Sequence, residues 1–344
     1  MNGRNAVRVG LIGAGLAGRS HAFDVVTTDG LQLAGVAGGQ GTSARDTSAL
    51  FGCTLYPDAD ALLSDSTVDA VIIAVPPHTV FPLLLRTVES GKPCLVEKPI
   101  ARTTAQCELL QQLMKRTPAV VAPFNRRYLP HVRHARQLID DGAIGSVNGA
   151  EACWQGAYRV RFGAETGTYR AAAGTRSGVL LDSGTHALDT LVYLLAEVLG
   201  PIHVTTTRLI RNERGADVEA ELLAIAEDGC SIRFSAADDP SSAPDGNWQL
   251  HITGSTGLIT LDRHGLLVSR VQDPEPSPVL FPEAERPAAD LRRVVHGQSP
   301  LGAGLFDALA VSNLVASAYD QALPVERSWS RPRAKALGRL NGSC

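Results

Sequence analysis

The sequence predicts an α/β protein: an N-terminal doubly wound parallel sheet, then an α+β domain on a large, mostly antiparallel sheet. Three observations carry this prediction. Residues 1–125 alternate nearly continuous apolar runs with helix-length segments. A glycine cluster, Gly13-Ala14-Gly15-Leu16-Ala17-Gly18, closes the first run. Beyond about residue 145 the rhythm changes to closely spaced strand-like runs with glycine turns between them.

The apolar runs of the first region are VRVGLIG (7–13), LQLAGVA (31–37), DAVIIAV (69–75), PCLVEK (93–98) and AVVAPF (119–124). Strands buried on both faces read this way, continuous rather than alternating. Segments 78–90 and 103–116 have helical length, and Thr103 or Thr104 suits the N-cap of the second. Strand, helix, strand repeated in this way predicts parallel pairing through right-handed crossovers. In the second region the strand candidates are 146 onward, 203–210, 219–236 and 248–271, with Asp228-Gly229 and Ser255-Thr256-Gly257 as hairpin turns. Helices are expected at about 184–198 and 302–321, and residues 272–287 form a proline-rich loop. The expected domains are 1–125, 126–326 and a basic tail at 327–344.

The chain has 344 residues, 44% of them apolar and 19% charged, with a net charge of −3. That composition suits a soluble globular protein and gives no basic surface for nucleic acid. No apolar run reaches the length of a membrane span, and the first residues lack a secretory pattern, so a cytoplasmic location is expected. The six cysteines are scattered with no C-x-x-C pair, which reads as reduced thiols and no metal site. Only four lysines occur, at 92, 98, 115 and 335.

The glycine cluster is G-x-G-x-x-G, behind a strand and opening a helix, the context a dinucleotide-binding (Rossmann) fingerprint needs. Gly13 permits the tight turn, Gly15 lets the backbone approach a pyrophosphate, and Gly18 allows close helix–strand packing. An NAD-type second strand would end in Asp or Glu. Here it continues Gly38-Gly39-Gln40-Gly41-Thr42-Ser43-Ala44-Arg45 without an acid. Gly38 with Thr42, Ser43 and Arg45 suits a 2′-phosphate, so NADP(H) is favoured over NAD(H).

Further along stand AVPPHT (74–79), LVEKPIA (95–101), PFNRRYLPHVRHARQLIDDGAIGSV (123–147), GVLLDSGTHALD (178–189) and HITGSTGLITL (251–261). In this order the motifs resemble the Gfo/Idh/MocA family of NAD(P)-dependent oxidoreductases over essentially the whole chain. The resemblance implies activity on sugars, cyclitols and related polyols. It also implies a homodimer or homotetramer formed through the open face of the antiparallel sheet. It implies a catalytic set of Lys98 beside the nicotinamide with Asp182 and His186 from the second domain. The chemistry agrees. A histidine gives or takes the hydroxyl proton near neutrality, and a lysine ammonium polarises a carbonyl. Taken singly, Asp182 also suits a helix N-cap, His186 a core position, and Lys98 a strand end.

The resemblance places Glu97 and Lys98 at the cofactor, with Val75, Pro76 and His78 beside the nicotinamide ribose. Many relatives carry a further His where this chain has Val80. Asn125 and Arg126 are cofactor candidates. Arg127 is a substrate candidate, and one of the two arginines is expected in a structural ion pair. Arg170 falls near the cofactor. Trp154, Tyr158 and Tyr169 are candidates for the substrate pocket, although core packing also suits aromatic residues there. Two other readings stay open: a catalytically idle NAD(P)-binding regulator, and an NAD-dependent glycosidase.

Overall fold

The computed structural model describes residues 6–39, 41–113, 119–158, 176–243, 246–270 and 281–322. The chain divides into two compact units. The first comprises Met1–Arg133 and Leu280–Ala316, the second His134–Val279 and Ser317–Cys344.

In the first unit, β1 (Val7–Ile12), β2 (Leu31–Ala37), β3 (Thr54–Leu55), β4 (Ala70–Ile73), β5 (Cys94–Val96) and β6 (Val120–Ala122) lie in the order β6-β5-β4-β1-β2-β3. All these pairings are parallel. The order reverses at β1/β4, which makes the crevice at their carboxyl ends the ligand position of such sheets. Helices α1 (Leu16–Thr27), α2 (Ser43–Phe51), α3 (Ala59–Ser64), α4 (Pro77–Glu89) and α5 (Thr104–Leu113) form the crossovers. Thr103 caps α5, its hydroxyl oxygen accepting from the Gln106 amide at 3.2 Å. Pro77 opens α4 at the first turn, where its missing N–H costs nothing. Helix α6 (Pro130–Asp140) follows a short 3₁₀ turn at Asn125–Tyr128.

The second unit holds β7 (Val147–Gly156), α7 (Thr185–Leu199), β8 (Ile202–Arg211), β9 (Asp217–Ala226), β10 (Ser231–Asp238), β11 (Asn247–Gly254), β12 (Gly257–Asp262) and β13 (Leu266–Arg270). Its strand order is β13-β12-β11-β7-β10-β9-β8, parallel only between β7 and β10. One face buries Ala152, Trp154, Phe234, Leu222, Leu250 and Ile252. Helix α7 buries Leu188, Leu191, Leu194 and Leu195 along the stripe expected of an amphipathic helix. The opposite face carries a register-aligned row: Leu267, Thr260, His251, Glu151, Arg233, Leu223 and Thr206.

Residues 281–316 return to the first unit, a path no motif in the sequence announces. There α8 (Pro287–Val295) places Ala288, Leu291 and Val294 among the core residues Val9, Leu33, Val36, Ile72 and Leu95. Strand β14 (Ala303–Gly304) pairs antiparallel with β6, and α9 (Leu305–Gln321) follows. Asp290, fully buried, accepts from Tyr128 Oη and from the Leu301 and Gly302 amides, each at 2.8 Å. The expected 126–326 domain includes these residues, which instead cluster with the first unit because the contacts that define the return are non-local.

Among the described residues Cys53, Cys94, Cys107 and Cys230 are free thiols. Among the described residues no helix is long and apolar enough to cross a membrane. Among them, too, no group of three or more His, Cys, Asp or Glu side chains could hold a metal ion.

Candidate active site

The nucleotide-side candidates gather at the carboxyl edge of the parallel sheet. Gly13 has φ +99°, and a Cβ there would stand 2.3 Å from the Ala74 carbonyl oxygen. A Cβ at Gly18 would stand 1.9 Å from the Gly13 carbonyl oxygen. Both glycines are therefore required by backbone packing between β1, α1 and the end of β4. Gly15 is different: it is exposed and meets nothing within 4 Å. It is the N-cap of α1, with no side-chain cap and no acid in the first turn. Helix N–H groups left without an intrahelical partner, together with the dipole, favour an anion there. Leu16 and Ala17 are exposed beside it, Leu16 at 66%. These residues fit a dinucleotide pyrophosphate, with Gly15 leaving the room that a side chain would fill.

At the end of β2, Gly38, Gly39 and Gly41 all have positive φ. Ser43 Oγ is buried without a hydrogen-bond partner. Thr42, the N-cap residue of α2, donates to Asp46 Oδ2 at 2.7 Å, so its hydroxyl is engaged by an acid one residue beyond the stretch read from sequence. Arg45 is exposed on α2. Val75 and Pro76 lie between β4 and α4, and His78 is exposed in the first turn of α4.

Beyond β5, Glu97 and Lys98 are half-buried and precede Pro99 through a cis peptide. Glu97 is held by a residue the motif analysis passed over: His21 Nε2 lies 2.7 Å from Glu97 Oε1. His21 sits three residues after Gly18 on the buried face of α1, a signal visible only once the helix register is known. Burial pulls its imidazole pKa down. The Glu97 hydrogen bond and charge, with the charge of Asp24, more than offset this, and the net shift is upward. Asn125 is exposed at the end of the same sheet, and Arg126 and Arg127 are buried. Arg127 forms an ion pair with Asp307 at 2.9 Å.

In the second unit, Asp182 lies within one turn of π-helix, Leu180–Gly184, that runs directly into α7. The turn is closed by Gly184 N–H donating to the Val179 carbonyl at 2.7 Å. π-Turns of this kind occur frequently at functional sites. The expected helix therefore begins as a wider turn, with Asp182 inside it rather than at an N-cap. Asp182 is 8% exposed and His186 is half-buried. The Thr185 hydroxyl donates to the Asp182 carbonyl at 2.7 Å, and that of Thr190 to the His186 carbonyl at 2.8 Å. Trp154 and Tyr158 are both buried at 7%. The Trp154 ring packs where any Cβ at Gly156 or Gly246 would clash. Tyr169 and Arg170 lie outside the described residues, as does the 327–344 tail.

A glycine-cradled nucleotide edge on a doubly wound sheet, with a separate sheet domain carrying buried acid and histidine, defines a two-domain dinucleotide-dependent protein. Residues 7–124 match the GFO/IDH/MocA model described as an oxidoreductase family with an NAD-binding Rossmann fold, and residues 132–260 match the GFO/IDH/MocA C-terminal domain. The chain belongs to this oxidoreductase family. It is similar to an inositol 2-dehydrogenase of Rhizobium meliloti (strain 1021), with 34% identity over 142 residues, 41% of this chain and 43% of that enzyme. The dTDP-3,4-didehydro-2,6-dideoxy-alpha-D-glucose 3-reductase of Streptomyces violaceoruber is 30% identical over 263 residues, 75% of this chain and 73% of that one. In fold it resembles KijD10, a 3-ketoreductase from Actinomadura kijaniata solved with NADP and TDP-benzene. That likeness has a TM-score of 0.76 at 21% identity, over 92% of this chain and 98% of that one.

Proposed function

We propose that the chain is an NAD(P)-dependent oxidoreductase acting on a secondary alcohol or ketone of a sugar, cyclitol or related polyol. Lys98, Asp182 and His186 are its catalytic set. The observation that carries the reading is the pairing of two motifs in one chain. One is Glu97-Lys98-Pro99 at the carboxyl edge of a glycine-cradled sheet, and the other is Asp182 in the π-turn with His186 four residues on in α7. Relatives named as an inositol dehydrogenase and a nucleotide-sugar ketoreductase support the substrate class.

The dinucleotide, held by Gly13–Gly18, the 38–45 loop, Val75, Pro76, His78, Asn125 and Arg126, supplies hydride chemistry when bound. The protein residues do the rest. His186 takes the proton of the carbinol in the oxidative direction and returns it in the reductive one. Positioned acid–base help of this kind is typically worth roughly 10²–10⁴-fold. Lys98 stabilises charge developing on the oxygen. Asp182 orients the substrate hydroxyl or its partners. Arg127, Trp154, Tyr158 and Tyr169 are the proposed substrate residues, and Arg170 a further cofactor residue.

NADP(H) is the favoured cofactor: the unpartnered Ser43 hydroxyl, the three positive-φ glycines and Arg45 suit a 2′-phosphate. The proposed location is cytoplasmic. The proposed assembly is a homodimer or homotetramer through the open sheet face, where Leu223, Ile225 and Leu267 are exposed. The test is nicotinamide absorbance on mixing the protein with dinucleotide and myo-inositol or a hexose. A change abolished by His186→Ala supports the reading. Sugar release without net absorbance change would instead identify a glycosidase, and dinucleotide binding without turnover of any polyol an idle regulator.

A further inference from the structure

We propose that Asp217 is the positioning residue of the turn that carries Asp182 and leads into His186, acting from β9 through the backbone of that turn. The inference rests on the reading of Asp182 and His186 as catalytic. Its observations are independent of that reading and all lie within the second unit.

Residue 217 is stitched to the start of the turn at three points. Its amide donates to the Ser177 carbonyl at 2.9 Å, its carbonyl accepts from the Val179 amide at 3.1 Å, and its carboxylate Oδ2 accepts from the Leu180 amide at 2.8 Å. Gly178 lies between these contacts with φ +129°, and a Cβ there would stand 2.1 Å from the Asp217 carbonyl oxygen. Only glycine lets the two backbones approach so closely. Leu180 opens the π-turn, and the early N–H groups of a helical segment have no partner within it. Asp217 satisfies one of them from a strand 37 residues away in sequence.

The second carboxylate oxygen, Oδ1, accepts from Tyr319 Oη at 2.6 Å. Asp217 is 1% exposed. Burial pushes its carboxyl up to about 6, against the pull of Tyr319, the Leu180 amide and the charge of Arg211. The Arg211 and Arg176 guanidiniums lie over the Tyr319 ring at 5.8 and 6.0 Å. Both oxygens are thus committed to fixed donors from two elements. A buried carboxylate is costly, and losing one donor leaves that cost uncompensated. The arrangement fixes where the π-turn begins, and with it the direction in which Asp182 and His186 project.

Two variants test this. Asp217→Asn keeps the shape but offers one acceptor oxygen in place of two, and Tyr319→Phe removes the Oδ1 donor together with the hydroxyl's own hydrogen bond to the Leu181 backbone in the turn. The substrate-free readout is the ring C2-proton NMR resonance of His186, assigned by its loss in His186→Asn. It is expected to move in both variants, while the resonances of His251 and His296 hold still. NADPH affinity by nicotinamide fluorescence should be unchanged. Turnover of myo-inositol should fall about 10–100-fold in Asp217→Asn, the scale of an ångström-size misplacement. In the His186→Asn background the same substitution should cost nothing further. Variants that only lower Tm, with the His186 resonance and turnover at wild-type values, would overturn the proposal. Normal turnover in His186→Asn, with the resonance still displaced by Asp217→Asn, would overturn the catalytic reading alone.

Discussion

His21 and Glu97 join the helix behind the glycine loop to the Glu-Lys-Pro strand end: His21 Nε2 stands 2.7 Å from Glu97 Oε1, with the two side chains 8% and 20% exposed. Two motifs far apart in the chain are thereby held as one unit at the carboxyl edge of the sheet.

The pair predicts a pH dependence. The folded-state pKa of His21 lies above its ordinary 6.5. Its stabilising contribution is therefore complete below about pH 6.5 and lost as pH rises through the raised value. The Tm difference between wild type and His21→Gln should be larger near about pH 6 than near about pH 9. A difference independent of pH would show that the hydrogen bond does not depend on the imidazolium.

Lys98→Ala and His186→Ala should each lower turnover by about 10²-fold or more, with dinucleotide Kd within a few-fold of wild type. Stopped-flow turnover and fluorescence titration separate the two quantities. Near-normal turnover in either variant would remove that residue from the catalytic set.

Arg45→Ala should weaken NADPH binding about tenfold and leave NADH unchanged, because a charge-assisted contact to a 2′-phosphate is lost. Asp46→Asn should do the opposite for NADPH, since it removes an anion from the first turn of α2. Equal effects on both dinucleotides would argue that neither residue reads the 2′ position.

Leu291 on α8 is fully buried within the core of the first unit. Leu291→Ala should cost about 2–5 kcal/mol in denaturant unfolding. A loss below about 1 kcal/mol would show that this helix is only laid on the surface.

The legible parts of the chain are those whose physics is local. VRVGLIG followed by GAGLAG declares a strand, a turn and a helix start, because apolar continuity and glycine conformation are set within a dozen residues. The hairpin at Asp228-Gly229 was readable for the same reason, and Gly229 has φ +90°. Non-local partners were not readable. Nothing near Asp217 announces a carboxylate that reaches Leu180, nor does α1 display that His21 meets Glu97. Asp46 escaped notice because its effect runs through the Thr42 hydroxyl rather than through the strand end. Helix α8 was hidden by its setting, since Pro287 reads equally as the end of a proline-rich loop and as the first residue of a helix.

The return of residues 281–316 to the first sheet bears on how the chain is made. A ribosome releases β1 to β6 early, yet Ala288, Leu291 and Val294 emerge only after the whole second sheet has been synthesised. Until then the nucleotide unit lacks a helix of its core and the edge strand β14. Synthesis therefore supplies every strand of the second sheet before the last strand of the first, whereas domains usually fold N-terminal first. A fragment cut after residue 133 would not be a nucleotide-binding module but an unfinished one, with apolar surface left for a chaperone to shield.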